Sequence, residues 1–199
     1  MEISIANRQR RIGIRSSCAG LIASSVLERE SACFDEISIV FLGDRAMLRL
    51  NRVFTGRDVP TDTLAFELTP DVIRQKPVSG IRLGEVIVCV DRAISQSKRY
   101  RVRLEKEVAR LLIHGLLHLC GFEDGTKIGR ARMHRRESLH IASLDELISS
   151  LVVSPSEGST ARGSKRVAPR RKGSTSRGPN LIASQRKGSA MRGSNRRGP

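Results

Sequence analysis

LEKEVARLLIHGLLHLCG, residues 104–121, carries apolar side chains at Leu104, Val108, Leu111, Leu112, Leu116 and Leu119. That three-to-four spacing predicts a helix with one buried face, running from about Leu104 to Cys120. Gly121 follows where a left-handed residue commonly ends a helix. On either side, three short runs rich in β-branched residues read as strands: Ile3 to Ala6, Ile37 to Leu42 and Glu85 to Val90. Segments with helical spacing lie between and after them, at Ala19 to Glu30, Asp44 to Val53, Asp91 to Tyr100 and Arg130 to Leu151. Strands and helices alternate too closely to form separate cores. The expected fold class is therefore α+β, a single domain over 1–153 with a small mixed β-sheet packed against helices.

The chain has 199 residues, with 36 Lys or Arg against 20 Asp or Glu and a formal net charge of +16. Such an excess points to a polyanionic partner. The excess is uneven: residues 1–150 hold 24 basic and 19 acidic groups, and 151–199 hold 12 and one. Beyond Val153, Ser, Gly, Pro, Arg and Lys dominate, and Arg171-Lys172-Gly173-Ser174 returns as Arg186-Lys187-Gly188-Ser189. This composition cannot offset its own ordering entropy, so 154–199 is expected to be a disordered basic tail. It reads either as an electrostatic tether to nucleic acid or as a solvated extension. It contains no aromatic residue, so any RNA contact it makes lacks base stacking and is weakly selective and salt-sensitive.

No apolar run approaches the roughly 20 residues of a membrane-spanning helix, which excludes an integral membrane protein of the helical kind. The N-terminal residues show no secretory signal, and a cytoplasmic location is expected. Cys18, Cys33, Cys89 and Cys120 form no CxxC pair and sit mostly in apolar stretches, which reads as reduced core thiols.

The chemistry is concentrated in His114-Gly115-Leu116-Leu117-His118-Leu119-Cys120-Gly121-Phe122-Glu123-Asp124. Histidines at i and i+4 project from one helix face, so both imidazoles can reach one metal ion. Gly121 permits the chain to reverse and bring Asp124 back as a third ligand. Three protein ligands leave a position open for water, the arrangement of a catalytic zinc site. The spacing echoes zinc proteases, but their general-base Glu after the first His is replaced here by Gly115. Phosphodiester cleavage suits the donor set better than peptide hydrolysis. Of the other polar groups, His134 and His140 read as solvated or RNA-facing, with His134 an alternative third ligand. Asp58 and Asp62 read as turn and cap residues.

At these residues the sequence resembles the YbeY-type bacterial endoribonucleases, also called rRNA maturation factors. HGLLHLCGFED follows their HGxLHLxGYDH signature, with Asp124 where the family has a third histidine. Leu50-Asn51 and the run Gly56 to Phe66 resemble the family's LN…YRGKDxPTDVLSF segment, Leu83 to Val88 resembles its LGDIVIS strand, and Glu107 falls where a family glutamate lies. Thr55 stands where the family has an arginine thought to assist catalysis or contact phosphate, with Arg57 two residues on. The likeness covers about residues 1 to 150. It implies a zinc-dependent, single-strand-specific endoribonuclease with one Zn2+ per chain held by His114, His118 and Asp124. It further implies ribosomal RNA and the small ribosomal subunit as partners, and roles in 16S rRNA 3′ end maturation and ribosome quality control. The alternative is a non-catalytic RNA-binding assembly factor that keeps the fold and has lost activity through the changes at Asp124 and Thr55.

Overall fold

The computed structural model describes residues 1–68, 82–154 and 180–182. Strands β1 (Glu2–Asn7), β3 (Glu36–Leu42), β4 (Thr63–Leu68), β5 (Leu83–Cys89) and β7 (Asn180–Ile182) form one sheet in the order β1-β3-β5-β4-β7. β1, β3 and β5 are mutually parallel, whereas β4 runs antiparallel to both β5 and β7. A second, two-stranded sheet pairs β2 (Gly13–Ile14) with β6 (Val152–Val153), which holds the end of the described body against its beginning. Among the described residues there are six helices: α1 (Ser16–Arg29), α2 (Asp44–Thr55), α3 (Val90–Tyr100), α4 (Leu104–Leu119), α5 (Lys127–Ser143) and α6 (Asp145–Ser149). This is the expected α+β class with a mixed sheet.

Strand alternation sorts the core into two layers. Ile37, Ile39 and Phe41 of β3 and Val86 and Val88 of β5 face α1, α4, α5 and α6 and join the larger cluster. Ile87 and Cys89 point the other way and pack with Leu64, Phe66 and Met47 of α2. The period of two along each strand assigns residues to opposite faces. α4 lies at the centre of the larger layer, buried at every position from Leu111 to Leu119.

The structure departs from the sequence reading in several places. β4 lies in a stretch that the sequence shows only as a loop-rich motif, because TLAFEL has weak strand propensity and its pairing partner β5, with Thr63 opposite Val88, decides the matter. The single helix expected over Arg130 to Leu151 is two, broken at Leu144 (φ −118°, ψ 16°). The turn lets Ile148 and Leu151, both fully buried, rejoin the core. The segment expected to be a disordered tail lies outside the described residues except for Ser154 and Asn180–Ile182. Those last three include the tail's aliphatic pair, Leu181 and Ile182, and they cover the edge of β4 that would otherwise present unpaired backbone groups. All four cysteines are free: Cys18 and Cys89 are buried, Cys120 is half-buried, and Cys33 is exposed rather than in the core.

His140 is not on a solvated face. It is buried, and its Nε2 lies 2.5 Å from Oε1 of Glu30, which also accepts a 2.6 Å hydrogen bond from Arg136 Nε. This joins the end of α1 to α5. Burial alone would raise the Glu30 carboxyl, but the hydrogen bonds from Arg136 and His140 more than offset it and hold the group below its ordinary value of 4.5. A carboxylate with a lowered native pKa stabilises the fold above its unfolded pKa and loses that contribution as the pH falls through the native value. Glu30→Gln is expected to reduce stability by about 1–3 kcal/mol at pH 7. In denaturant titrations, the gap between wild type and variant should narrow below about pH 4.5. A gap of constant size down to pH 3 would contradict the ionic role.

Candidate metal centre

The last two turns of α4 position both histidines. Their rings are 4.7 Å apart and nearly perpendicular (86°), with the two Nε2 atoms 3.3 Å from each other. Both side chains are buried, His114 at 3% and His118 at 2% exposure. Two imidazole nitrogens sharing a tetrahedral ion at Zn–N distances of about 2.0–2.1 Å would be separated by about 3.3–3.4 Å. The pair is spaced to share one ion.

The turn that follows is a helix terminus of defined form. Gly121 N–H donates to the His118 carbonyl (2.9 Å) and Phe122 N–H to the Leu117 carbonyl (3.0 Å), the two bonds of a Schellman motif. Gly121 takes φ +84°, a conformation that side chains with a Cβ avoid. Arg130 then donates to the carbonyls of Asp124 (3.1 Å) and Gly125 (3.3 Å), and Thr126 caps α5 by accepting from Gly129 N–H. Asp124, half-buried, is thereby brought back over the helix end. One ligand atom from each of His114, His118 and Asp124 lies within 4.8 Å of the others, and the group could hold a metal ion. The three residues singled out from the sequence converge.

His118 is pushed down to about 4, chiefly by burial and next by the neighbouring His114, while the Asp124 carboxylate, the Phe122 backbone and Glu137 pull in the opposite direction. It is neutral at physiological pH, with a lone pair available to a cation. His114 is oriented from behind by Glu137, whose Oε1 lies 2.7 Å from Nδ1. A carboxylate there favours the Nδ1–H tautomer and leaves Nε2 as the metal-facing lone pair. Glu137 is 1% exposed. The sequence reading missed it because it sits in a run of arginines, yet its spacing with Met133, His140 and Ile141 marks the buried face of α5.

Gly115, between the ligands, faces the sheet. A Cβ there would stand 2.5 Å from Val86 Cγ1 and 2.8 Å from Thr63 Cγ2, both on β-branched side chains with little freedom to move. A glutamate at this position could not reach the ligand cluster without displacing α4. The remaining sequence candidates lie outside the cluster. Asp58 pairs with Arg52, and Asp62 accepts a 2.7 Å hydrogen bond from Gln96. His134 is exposed and Arg57 is exposed. Glu107, two turns before His114, is buried with Arg110 Nε 3.5 Å away. Thr55 turns its hydroxyl to its own helix, bonding the Asn51 carbonyl (2.8 Å) and side-chain Oδ1 (2.9 Å).

Comparison with known proteins gives concordant matches. A family model described as Endoribonuclease YbeY matches residues 4–145. The chain is 30% identical over 142 residues to an Endoribonuclease YbeY of Chlorobium phaeobacteroides, covering 71% of this chain and 93% of that one. It is 33% identical over 153 residues to one from Moorella thermoacetica, covering 72% and 97%. A solution structure from Thermotoga maritima aligns over 82% of this chain and 99% of its own, at 21% identity and a TM-score of 0.47.

Two substitutions test how the centre is supported. Glu137→Gln keeps the size of the side chain but weakens the orientation of His114, and is expected to reduce metal affinity about 10–100-fold in a competitive chelator titration. Affinity equal to wild type would deny the role. Gly115→Ala should destabilise the protein by about 1–3 kcal/mol through overpacking against β4 and β5, read from chemical denaturation. A neutral result would mean that α4 moves off the sheet freely.

Proposed function

The chain belongs to the endoribonuclease YbeY family, and we propose that it is a zinc-dependent, single-strand-specific endoribonuclease acting in ribosomal RNA processing. Membership makes it a metal-dependent hydrolase of RNA. The finer reading is that its substrate is the 3′ end of 16S rRNA on the small ribosomal subunit, that it serves ribosome quality control, and that it works in the cytoplasm. The observation that carries the proposal is the convergence of His114, His118 and Asp124 at the end of α4, with Glu137 fixing His114 from behind.

Each side chain has a distinct task in this reading. His114 and His118 hold the ion through neutral imidazole nitrogens, and Asp124 adds an anionic oxygen donor. Bound zinc would supply Lewis acidity, activating water and taking up charge on phosphate oxygens. Glu137 keeps His114 in the tautomer that ligates. Gly115 stands at the position directly after the first histidine where zinc proteases carry their general-base Glu, which disfavours peptide hydrolysis. Arginines around the centre would hold phosphates, and the basic tail would add affinity without sequence choice.

A second reading, a non-catalytic RNA-binding assembly factor, is favoured by one observation. Thr55, which the resemblance places where the family has an arginine, spends its hydroxyl on Asn51 and offers no cation to a phosphate. Metal content and cleavage distinguish the two readings. About one zinc per purified chain is expected by elemental analysis, lost in His118→Ala and Asp124→Ala. Cleavage of single-stranded RNA should disappear in His114→Ala while RNA binding persists. A wild-type protein that binds RNA but carries no zinc after supplementation, and cuts nothing, would establish the second reading.

A further inference from the structure

Three surface depressions adjoin one another along α5. The first, about 360 Å3, is formed by the turn after α4 and the start of α5, including Phe122, Glu123 and Arg132. The second, about 380 Å3, shares Phe122 and Arg132 with the first and adds Arg135, Arg136 and Leu139. The third, about 610 Å3, shares Arg136 and Leu139 with the second and reaches Arg29 at the end of α1. Shared walls make them one continuous groove. It begins at the two residues that immediately precede Asp124 and follows α5 for most of its 17 residues, about 25 Å at the helical rise.

The charge of this groove is nearly all of one sign. Arg29, Arg132, Arg135 and Arg136 line it, and Glu123 is the one acidic residue among its described lining. Arg136 is partly neutralised by Glu30. Arg132, Arg135 and Arg29 are exposed, with no hydrogen-bond or ion-pair partner among the described residues. Ordinary surface arginines on a helix commonly meet acidic residues at i±3 or i±4. Here none of the positions three or four residues from Arg132 or Arg135 is acidic, and Glu137, on the other face of the helix, is turned inward to His114. The same wall carries apolar surface from half-buried Phe122 and exposed Leu139. Guanidinium groups sharing a groove with an aromatic ring and an aliphatic side chain match a strand of phosphates and bases.

We propose that the outer face of α5 is the track that carries single-stranded RNA away from the metal centre, with Arg132 and Arg135 on its phosphates and Phe122 as the surface against which a base packs beside the cleavage point. The proposal rests on the endoribonuclease reading given above and adds to it the path of the substrate. It also gives α5 two separate duties. Its buried face orients a metal ligand through Glu137, and its exposed face holds the polymer on which that ligand set acts.

The test uses the full zinc-loaded chain and a short 2′-O-methylated single-stranded RNA, with binding followed by fluorescence anisotropy from 50 to 300 mM salt. For single strands, log affinity falls with log salt at about 0.7 per phosphate contact. Replacing both Arg132 and Arg135 by Ala should therefore flatten the slope by about 1.4 and weaken binding about tenfold near 100 mM salt. Arg132→Lys with Arg135→Lys should restore the slope, since lysine still neutralises phosphate. Phe122→Leu should weaken binding several-fold and leave the slope unchanged, because stacking releases no counterions. Unchanged affinity and slope in the double Ala variant, with wild type binding normally, would overturn the track and leave the endoribonuclease reading intact. Failure of wild type to bind RNA at any salt would overturn both.

Discussion

The approach of α4 to the sheet is the constraint on which the site depends. Gly115 sits where any Cβ would collide with Val86 and Thr63, and Gly84 on β5 sits where a Cβ would lie 2.6 Å from Ile37 Cδ1 and 2.8 Å from Leu119 Cδ1. One glycine on the helix and one on the strand thus allow two elements to close to backbone range. The gain is burial of His114 and His118 among side chains that cannot move, with Thr63 Oγ1 donating to the Leu111 carbonyl one turn before the first histidine. Burial keeps His118 neutral, and neutrality is what a metal ligand requires. The chemistry at the end of the helix is therefore a consequence of packing in its middle.

A second helix completes what α4 begins. α5 buries Met133, Glu137, His140 and Ile141, a face of mixed polarity. Its two polar members each meet a carboxylate or imidazole from elsewhere in the chain: Glu137 meets His114 of α4, and His140 Nε2 meets Glu30 just beyond the end of α1. Unpaired, each would cost more than an apolar residue in its place. Paired, they fix α5 in rotation as well as in position, because a shift of one residue would break both contacts at once. That rotation is what turns Arg132 and Arg135 outward together.

How much of this was legible in the sequence follows from what each signal depends on. The helix over Leu104–Leu119, the three parallel strands and the convergence of His114, His118 and Asp124 rest on local spacing and on a glycine at a helix end, and a sequence displays both directly. β4 was not legible as a strand, since TLAFEL acquires its conformation by pairing with β5. Glu137 and His140 were hidden for a different reason: in RARMHRRESLH the charge of the run masks the spacing of its buried members. The position of a polar residue on a buried face becomes visible only when the partner that neutralises it, on a helix distant in sequence, is in place. The break at Leu144 has the same origin, for it serves Ile148 and Leu151, whose contacts are tertiary.

Charge accounting ties the ligand set to the surface around it. Two imidazoles, of which His118 is held neutral by burial, stand with the carboxylates of Asp124 and Glu137 within or beside the cluster. Two carboxylates there would favour a doubly charged cation, which would bring the inner site close to electroneutrality. A site that is neutral when loaded exerts little long-range attraction on a polyanion. The attraction must come from elsewhere on the molecule, and the unpaired arginines on the outer face of α5 are placed to provide it. Had the third ligand been a neutral imidazole, the loaded centre would keep a net positive charge of its own. On the proposed reading, Asp124 as third ligand would shift the work of drawing in the phosphate backbone from the ion to the arginines on the outer face of α5.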